Sequence, residues 1–384
     1  MSAPGLPEDV HGRSRADEEG YTAAPRRRGL RRGFTTGACA AAATRAASLE
    51  LVEGRPRAEV TIPLPAGFDH NFAVHSRESG DGWARAVVVK DAGDDPDVTH
   101  GAHLTATVRW SERPGLELRA GEGVGTVTLP GLGLEVGAPA INPVPRRMLT
   151  EAAQPAIAAA PAGRGVEVTI GVPGGTRMAE RTLNGRLGIV GGISILGTTG
   201  VVHAYSTASW RASVVQAVDV CAASGVEHVV LSTGGRSERF ARRRLPDLPD
   251  VAFVEMGEFA GAALDRCRRH HIARATVAGM VGKLTKLAQG QFQLHVAGGG
   301  VDPEMLARVA AEAGARPDLV ERIRHATTAR HAQEMALAAG LRGFFVALCA
   351  AAAQRCRERT GGRVAVEAWC FDPDSGELLG EAAA

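Results

Sequence analysis

Aromatic side chains are scarce. Trp, Tyr and Phe make up 4% of 384 residues, so any core must be built mainly from Val, Leu, Ile and Ala. No run of about 18 consecutive apolar residues occurs, which excludes a membrane-spanning helix. Neither sign of charge dominates: 44 basic against 42 acidic residues leave a net charge of +2. That balance gives no reason to expect nucleic acid or a membrane surface as a partner. The six cysteines, Cys39, Cys221, Cys267, Cys349, Cys356 and Cys370, include no CxxC pair. A disulfide framework or zinc site is therefore not expected, and buried free thiols in a reducing compartment are. Two nucleotide motifs are also missing. There is no GxGxxG at a first βα turn and no GxxxxGK[ST], which disfavours a standard dinucleotide or P-loop site.

What is present begins with LRRGFTTGACAAAATRAA, Leu30 to Ala47. Arg31-Arg32 before an Ala-rich run could start a twin-arginine export signal. A secretory apolar core should be uninterrupted, however, and this one is broken by Arg45 and continues into Ser48-Leu49-Glu50-Leu51. With Thr36 as N-cap and a run of alanines behind it, the stretch reads as a structural helix, and a cytoplasmic protein is expected.

The length allows two domains. Residues 1–28, ending in Arg26-Arg27-Arg28, lack periodicity and read as a disordered tail. From 29 to 184, strand-like runs (RAEVTIPL, FAVHS, GWARAVVVKD, LTATVRW, VEVTIGVP) outnumber two helical stretches, the second near 145–159, which suggests an α+β domain. From 185 to 300 the rhythm becomes βα. GRLGIVGGISIL precedes the helix STASWRASVVQAVDVCAASG, followed by VEHVVLS with RSERFARRR, VAFVEM with EFAGAALDRCRRHH, and RATVAGM with GKLTKLAQ. Val214, Val215, Val218, Cys221 and Ala222 fall on one face of the first of these helices, and Gly225 fits its stop. Residues 301–384 read as mostly helical, with a final strand RVAVEAWCF packing back on the core and a turn at Asp372–Gly376. The fold class expected is two-domain: an N-terminal α+β domain plus a C-terminal α/β domain with a parallel sheet flanked by helices.

Ligands of open parallel sheets bind beyond the carboxyl ends of the strands. The turns expected there are GTTG (Gly197, Thr198, Thr199, Gly200), STGG (Ser232, Thr233, Gly234, Gly235), MGEF (Met256–Phe259) and GMVGKLTK (Gly279–Lys286). Each leads into a helix N-terminus, which favours a polar or anionic ligand. Arg236, Arg239, Lys283 and Lys286 lie in or just after these turns and suit a ligand with several carboxylates, or else a solvated helix face. In the first domain Asp91, Asp94, Asp95 and Asp97 could bind Mg²⁺, supply a general base, or simply form an acidic turn. His100 and His103 lack a defined third metal partner. The run GEGVGTVTLPGLGLEVG reads either as a hairpin or as a loop approached closely by a ligand.

Taken in order, LRRGFTTGACAAAATRAA, VVVKDAGDDPDVTHG, GEGVGTVTLPGLGLEVGAPAINPVPRRML, GGISILGTTGVVHAYSTASWRAS, LSTGGRSERF and GMVGKLTKLAQG resemble the motifs of the CbiD family, the cobalt-precorrin-5B C-1 methyltransferases of cobalamin biosynthesis. The resemblance runs from Leu30 to about residue 370. Where that family often carries a Thr-His-Ser-like element after Gly290, this chain has Leu294-His295-Val296. The resemblance implies methyl transfer from S-adenosyl-L-methionine to C-1 of a cobalt-bearing tetrapyrrole that brings its own metal. On that basis Gly197, Thr198, Thr199, Gly200, Ser232, Thr233, Gly234 and Gly235 would cradle the methyl donor. Thr35, Thr36, Arg236, Lys283 and Lys286 would meet substrate carboxylates, and Asp95 or His295 would accept a proton. Two other classes compete. A small-molecule kinase would use the Asp91–Asp97 loop for Mg²⁺, and a non-catalytic tetrapyrrole carrier would need no cofactor cleft.

Overall fold

The computed structural model describes residues 29–295 and 300–384, so the expected tail at 1–28 and Val296 lie outside the described residues. The chain divides into two compact units, Met1–Ala208 and Ser209–Ala384.

The opening motif forms a short strand β1 (Gly33–Phe34) and helix α1 (Thr36–Glu53). Thr35, one residue earlier than expected, is the N-cap: it is extended at φ −75° and ψ 161°, and its hydroxyl accepts from the Ala38 N–H at 3.2 Å. Thr36 is already helical. Ala38, Ala40, Ala42, Ala43 and Ala47 are each 0% exposed. The alanine run therefore does more than favour helix formation. A helix this thin can lie between a sheet and two further helices with its backbone close to both.

The first unit continues through β2 (Glu59–Leu64), β3 (Phe68–Ala73), β4 (Ser76–Gly80), β5 (Trp83–Val89), β6 (His103–Ser111), β7 (Gly115–Ala120), β8 (Thr126–Val127), α2 (Pro143–Ala152), α3 (Gln154–Ala159), β9 (Gly165–Gly171), α4 (Gly175–Ala179), β10 (Ile189–Val190) and β11 (Val201–Val202). Its main sheet has the order β4-β5-β6-β9-β7, antiparallel except for the β7–β9 pair. Its buried face (Ala84, Ala86, Val88, Leu104, Ala106, Val108, Val166, Val168, Ile170) packs against α1 in one core. The single helix expected near 145–159 is two, α2 and α3, separated at Ala153, ahead of Pro155 in the first turn of α3.

The second unit contains α5 (Thr207–Ala223, entering from the first), β12 (His228–Ser232), α6 (Gly235–Arg244), β13 (Phe253–Glu255), α7 (Ala260–Arg269), β14 (Arg274–Gly279), α8 (Val281–Ala288), α9 (Pro303–Glu312), α10 (Pro317–Arg324), α11 (Ala329–Ala338), α12 (Gly343–Arg359), β15 (Ala365–Phe371) and β16 (Leu378–Ala383). The sheet order is β13-β12-β14-β15-β16, parallel except for β16. The last strand of the sequence reading, β15, thus lies inside the sheet, and a further strand β16 follows it. The turn between them is held by Asp372, whose Oδ1 accepts from the N–H groups of Asp374 at 3.0 Å and Ser375 at 2.8 Å.

The boundary differs from the sequence reading. Residues 185–208, assigned there to the second domain, fall within the first unit. The expected buried strand GRLGIVGGISIL contributes only β10, which pairs antiparallel with β8, and β11 pairs with β1. Ile193 and Ile195 bridge Val124 and Ile141. The fourth parallel strand is β15, supplied from the far end of the chain.

Candidate functional site

In the second unit the chain leaves β12 through α6 to β13 on one side, and leaves β14 through α8 to α12 for β15 on the other. The crevice between the carboxyl ends of β12 and β14 is thus the topological switch point, the usual ligand position in such sheets. Two expected turns meet there. Ser232 is 0% exposed and its hydroxyl donates to the Val254 carbonyl at 3.3 Å, while the Thr233 N–H donates to the Ala278 carbonyl at 3.0 Å. These two residues serve the sheet. Gly234 and Gly235 are the open part of the turn. Gly234 is extended, and a Cβ built on it meets no atom within 4 Å. Helix α6 starts at Gly235, so its first-turn N–H groups have no intrahelical acceptor. Arg236 is exposed, with Nη1 3.4 Å from the Pro373 carbonyl after β15, and Arg239 is exposed one turn on.

Lys283 and Lys286 belong to the same edge but are tethers. The Lys283 ammonium donates to the Leu294 carbonyl at 2.5 Å and the Lys286 ammonium to the His295 carbonyl at 2.7 Å. Burial, and then the neighbouring Lys286 charge, push the Lys283 pKa below the usual lysine range against the pull of Glu258. Lys286 is itself buried. Together with Leu294 N–H donating to the Glu258 carbonyl at 2.9 Å, they pin residues 291–295 to the sheet edge and leave the His295 side chain exposed.

The remaining expected residues lie in the first unit. GTTG does not follow a strand of the parallel sheet; it folds onto the start of α1. Thr35 N–H donates to the Gly200 carbonyl at 3.0 Å and Gly37 N–H to the Leu196 carbonyl at 3.0 Å. The Thr36 hydroxyl accepts from Leu196 N–H at 2.9 Å and faces the Ser194 and Leu196 carbonyls, each at 3.3 Å. A Cβ on Gly197 would sit 2.5 Å from the Thr35 side chain. Both threonines are buried, and their hydroxyls are engaged within the protein. Thr198 and Leu196 remain exposed on this turn, while the Thr199 hydroxyl bonds to Val201.

The acidic loop is internally neutralised. Asp91 forms a bidentate pair with Arg31 and accepts from the Gly93 N–H at 2.9 Å; these contacts, Arg31 foremost, hold its carboxyl below the usual range. Asp94 accepts from the Arg31 N–H at 2.6 Å, and the half-buried Asp95 accepts from the Tyr205 N–H at 2.9 Å. Asp97 pairs with Lys90 at 2.6 Å. His100 Nδ1 accepts from the Ala92 N–H at 3.1 Å, and His103 packs edge-on against His75. Among the described residues, no group of three or more His, Cys, Asp or Glu side chains is placed to hold a metal ion.

The glycine-rich run after β7 is approached by backbone. A Cβ on Gly123 would lie 2.0 Å from the Val172 carbonyl oxygen, and one on Gly192 would lie 2.2 Å from that of Gly123. Sequence reasoning passed over Trp210 and Glu255 in the second unit. The signal for Glu255 was an acid about twenty residues beyond a glycine turn, at the end of the next strand. All six cysteines are free and buried, and no described helix is long and apolar enough to cross a membrane.

The CbiD family model matches residues 23–204 and the CbiD C-terminal domain model matches residues 293–383. Similar curated proteins include the cobalt-precorrin-5B C(1)-methyltransferase of Rubrobacter xylanophilus, 53% identical over 92% of each chain. Those of Salinispora arenicola (54% identical over 89% of this chain and 90% of the relative) and of a Geobacillus species (47% over 92% and 96%) bear the same name. A solved cobalamin biosynthesis protein (cbiD) from Archaeoglobus fulgidus is 25% identical over 81% of this chain and 85% of its own, at a TM-score of 0.36. On the family models and on these relatives of matching length, the chain belongs to the CbiD family.

Proposed function

We propose that the chain is a cobalt-precorrin-5B C(1)-methyltransferase of cobalamin biosynthesis. It moves a methyl group from S-adenosyl-L-methionine to C-1 of the cobalt-bearing tetrapyrrole, giving cobalt-precorrin-6A and S-adenosylhomocysteine. One observation carries the reading: relatives at 45–56% identity, matched over at least about four-fifths of both chains, bear that one name. Cobalt enters as part of the substrate.

The residues at the β12–β14 crevice fit a sulfonium nucleoside. The Gly234-Gly235 turn has no Cβ to fill the approach, and the nearest side chain to the Cβ position of Gly235 is the Glu255 carboxylate at 3.8 Å. An anion there repels phosphate and suits hydroxyl donors or a positive charge, whereas a kinase site needs the reverse. When bound, the donor supplies the electrophilic methyl group. The chain's own contribution is to bind and orient: a methyl held in line with its acceptor carbon needs little covalent help, and good positioning contributes roughly 7–11 kcal/mol.

The roles of individual residues follow from their placement. Gly234 and Gly235 hold the donor, with Ser232 and Thr233 fixing the turn from beneath. Arg236, exposed at the same edge, meets substrate carboxylates, and Lys283 and Lys286 keep residues 291–295 in place. Asp95, which accepts from the Tyr205 N–H, or His295, exposed at the sheet edge, is the proton acceptor where one is needed. Thr35 and Thr36 secure Gly197–Gly200 within the first unit, where Thr198 stays exposed. Calorimetric titration with S-adenosylhomocysteine, using ATP–Mg²⁺ as the control, tests the reading. Binding of the sulfonium product and not of ATP is expected; binding of ATP alone would return the site to a kinase.

A further inference from the structure

Trp210 is the one tryptophan left exposed, at 47%. It stands in the first turn of α5 and leans over the carboxyl end of β13. A Cβ built on Gly257 would lie 2.6 Å from its ring, and Gly257 has φ +57°, so no side chain fits there. Its edge meets the buried Phe259, with ring centroids 5.6 Å apart at 77°. The indole is thus held by backbone and ring over part of its surface while 47% of the residue stays exposed. A lone exposed apolar side chain is ordinary; one buttressed against a glycine at the ligand edge of a parallel sheet is not.

Two residues before Gly257 stands Glu255, the last residue of β13, paired in register with Ser232 of the glycine turn. Its carboxylate approaches Gly235 as described above, and it makes no hydrogen bond or ion pair among the described residues. A flat aromatic surface over Gly257 and an unpaired acceptor two residues before that glycine therefore both stand at the carboxyl end of β13, and the carboxylate faces the open Gly234-Gly235 turn.

We infer that Trp210 and Glu255 form the adenosine subsite of the donor cleft. The indole stacks on the purine, and the carboxylate accepts hydrogen bonds from the ribose hydroxyls. A carboxylate is an acceptor only, and the ribose diol offers two donors. Stacking on an aromatic side chain needs only a π-face. This inference rests on the methyl-donor reading above and assigns the part of the donor that lies away from the transferred methyl.

The test titrates the full chain with S-adenosylhomocysteine and with its 2′,3′-dideoxyribose analogue, by calorimetry. Loss of a base–aromatic stack corresponds to a fall of about tenfold or more in affinity. Trp210→Ala should show that fall for both ligands, and Trp210→Phe should keep most of the binding. Glu255→Gln should weaken the ribose ligand and leave the dideoxy analogue unchanged. Thermal midpoints identify any variant that fails to fold; should Trp210→Ala be one, Trp210→Phe and Glu255→Gln decide. Wild-type-like affinity in both Trp210→Ala and Glu255→Gln would overturn the subsite while leaving the methyl-donor reading standing. Failure of the wild type to bind S-adenosylhomocysteine, with and without the tetrapyrrole, would instead remove that reading and the subsite with it.

Discussion

Replacing Asp97 by Asn should destabilise the first unit by about 3–5 kcal/mol, the cost of leaving a buried charge without its partner. Lys90 is 1% exposed and pairs with Asp97 at 2.6 Å. The other Asp97 oxygen already accepts from the Thr99 N–H at 2.7 Å and the Thr99 hydroxyl at 2.6 Å. An Asn amide has a single oxygen: it either serves Thr99 and turns its NH₂ toward the ammonium, or serves Lys90 and leaves Thr99 unpaired. Burial raises the Asp97 pKa, but the Lys90 charge and the hydrogen bonds from Lys90 and Thr99 outweigh it and hold the group below the carboxylate range. A depressed folded-state pKa means the pair's contribution is present above the unfolded value near 3.9 and is lost as pH falls through the folded one. The assay is urea unfolding in a Trp210→Phe, Trp369→Phe background, where only Trp83 and Trp110 of β5 and β6 report. The midpoint should fall at neutral pH, and the acid limb of stability should flatten in Asp97→Asn. A change below about 0.5 kcal/mol, the range of an ordinary surface substitution, would refute the reasoning.

Three further outcomes are expected. Gly234→Val should abolish S-adenosylhomocysteine binding with an unchanged thermal midpoint, since the added side chain enters open space; unchanged affinity would remove the turn from the site. Lys286→Met should cost about 1–3 kcal/mol, because it removes the hydrogen bond to the His295 carbonyl, and should speed amide exchange across residues 291–295; unaltered exchange would show that the tether is dispensable. Arg236→Ala should raise KM for the tetrapyrrole and leave the affinity for S-adenosylhomocysteine unaltered; an equal loss of both would place Arg236 in the donor cleft instead.

Much of the fold was legible because burial writes a pattern. VEHVVLS, VAFVEM and RATVAGM are apolar runs closed by glycine turns and followed by amphipathic helices, and they became β12, β13 and β14. The same logic misplaced GRLGIVGGISIL. Ile189, Ile193 and Ile195 are indeed buried, at 5%, 2% and 0% exposed, but against Val127, Val124 and Ile141 of the first unit. An apolar pattern records that a residue is covered, not by what. The half-buried strand β7, GLELRA, carried too little contrast to be seen.

The site was less legible for a related reason. Lys283 and Lys286 carry the charge a carboxylate-rich ligand would want, yet backbone carbonyls ten or so residues on take up their donors. Glycine supplied the opposite ambiguity. Gly234 is open and Gly123 is pressed against the Val172 carbonyl, and no local composition distinguishes the two. Trp210 left no trace because its place over Gly257 depends on α5 and β13 being neighbours.

The most direct test of the central claim is to incubate the protein with cobalt-precorrin-5B and methyl-labelled S-adenosyl-L-methionine and to locate the label by carbon NMR. The account predicts one labelled methyl group on C-1, with stoichiometric S-adenosylhomocysteine. Label on another carbon, or an unmethylated tetrapyrrole, would contradict it.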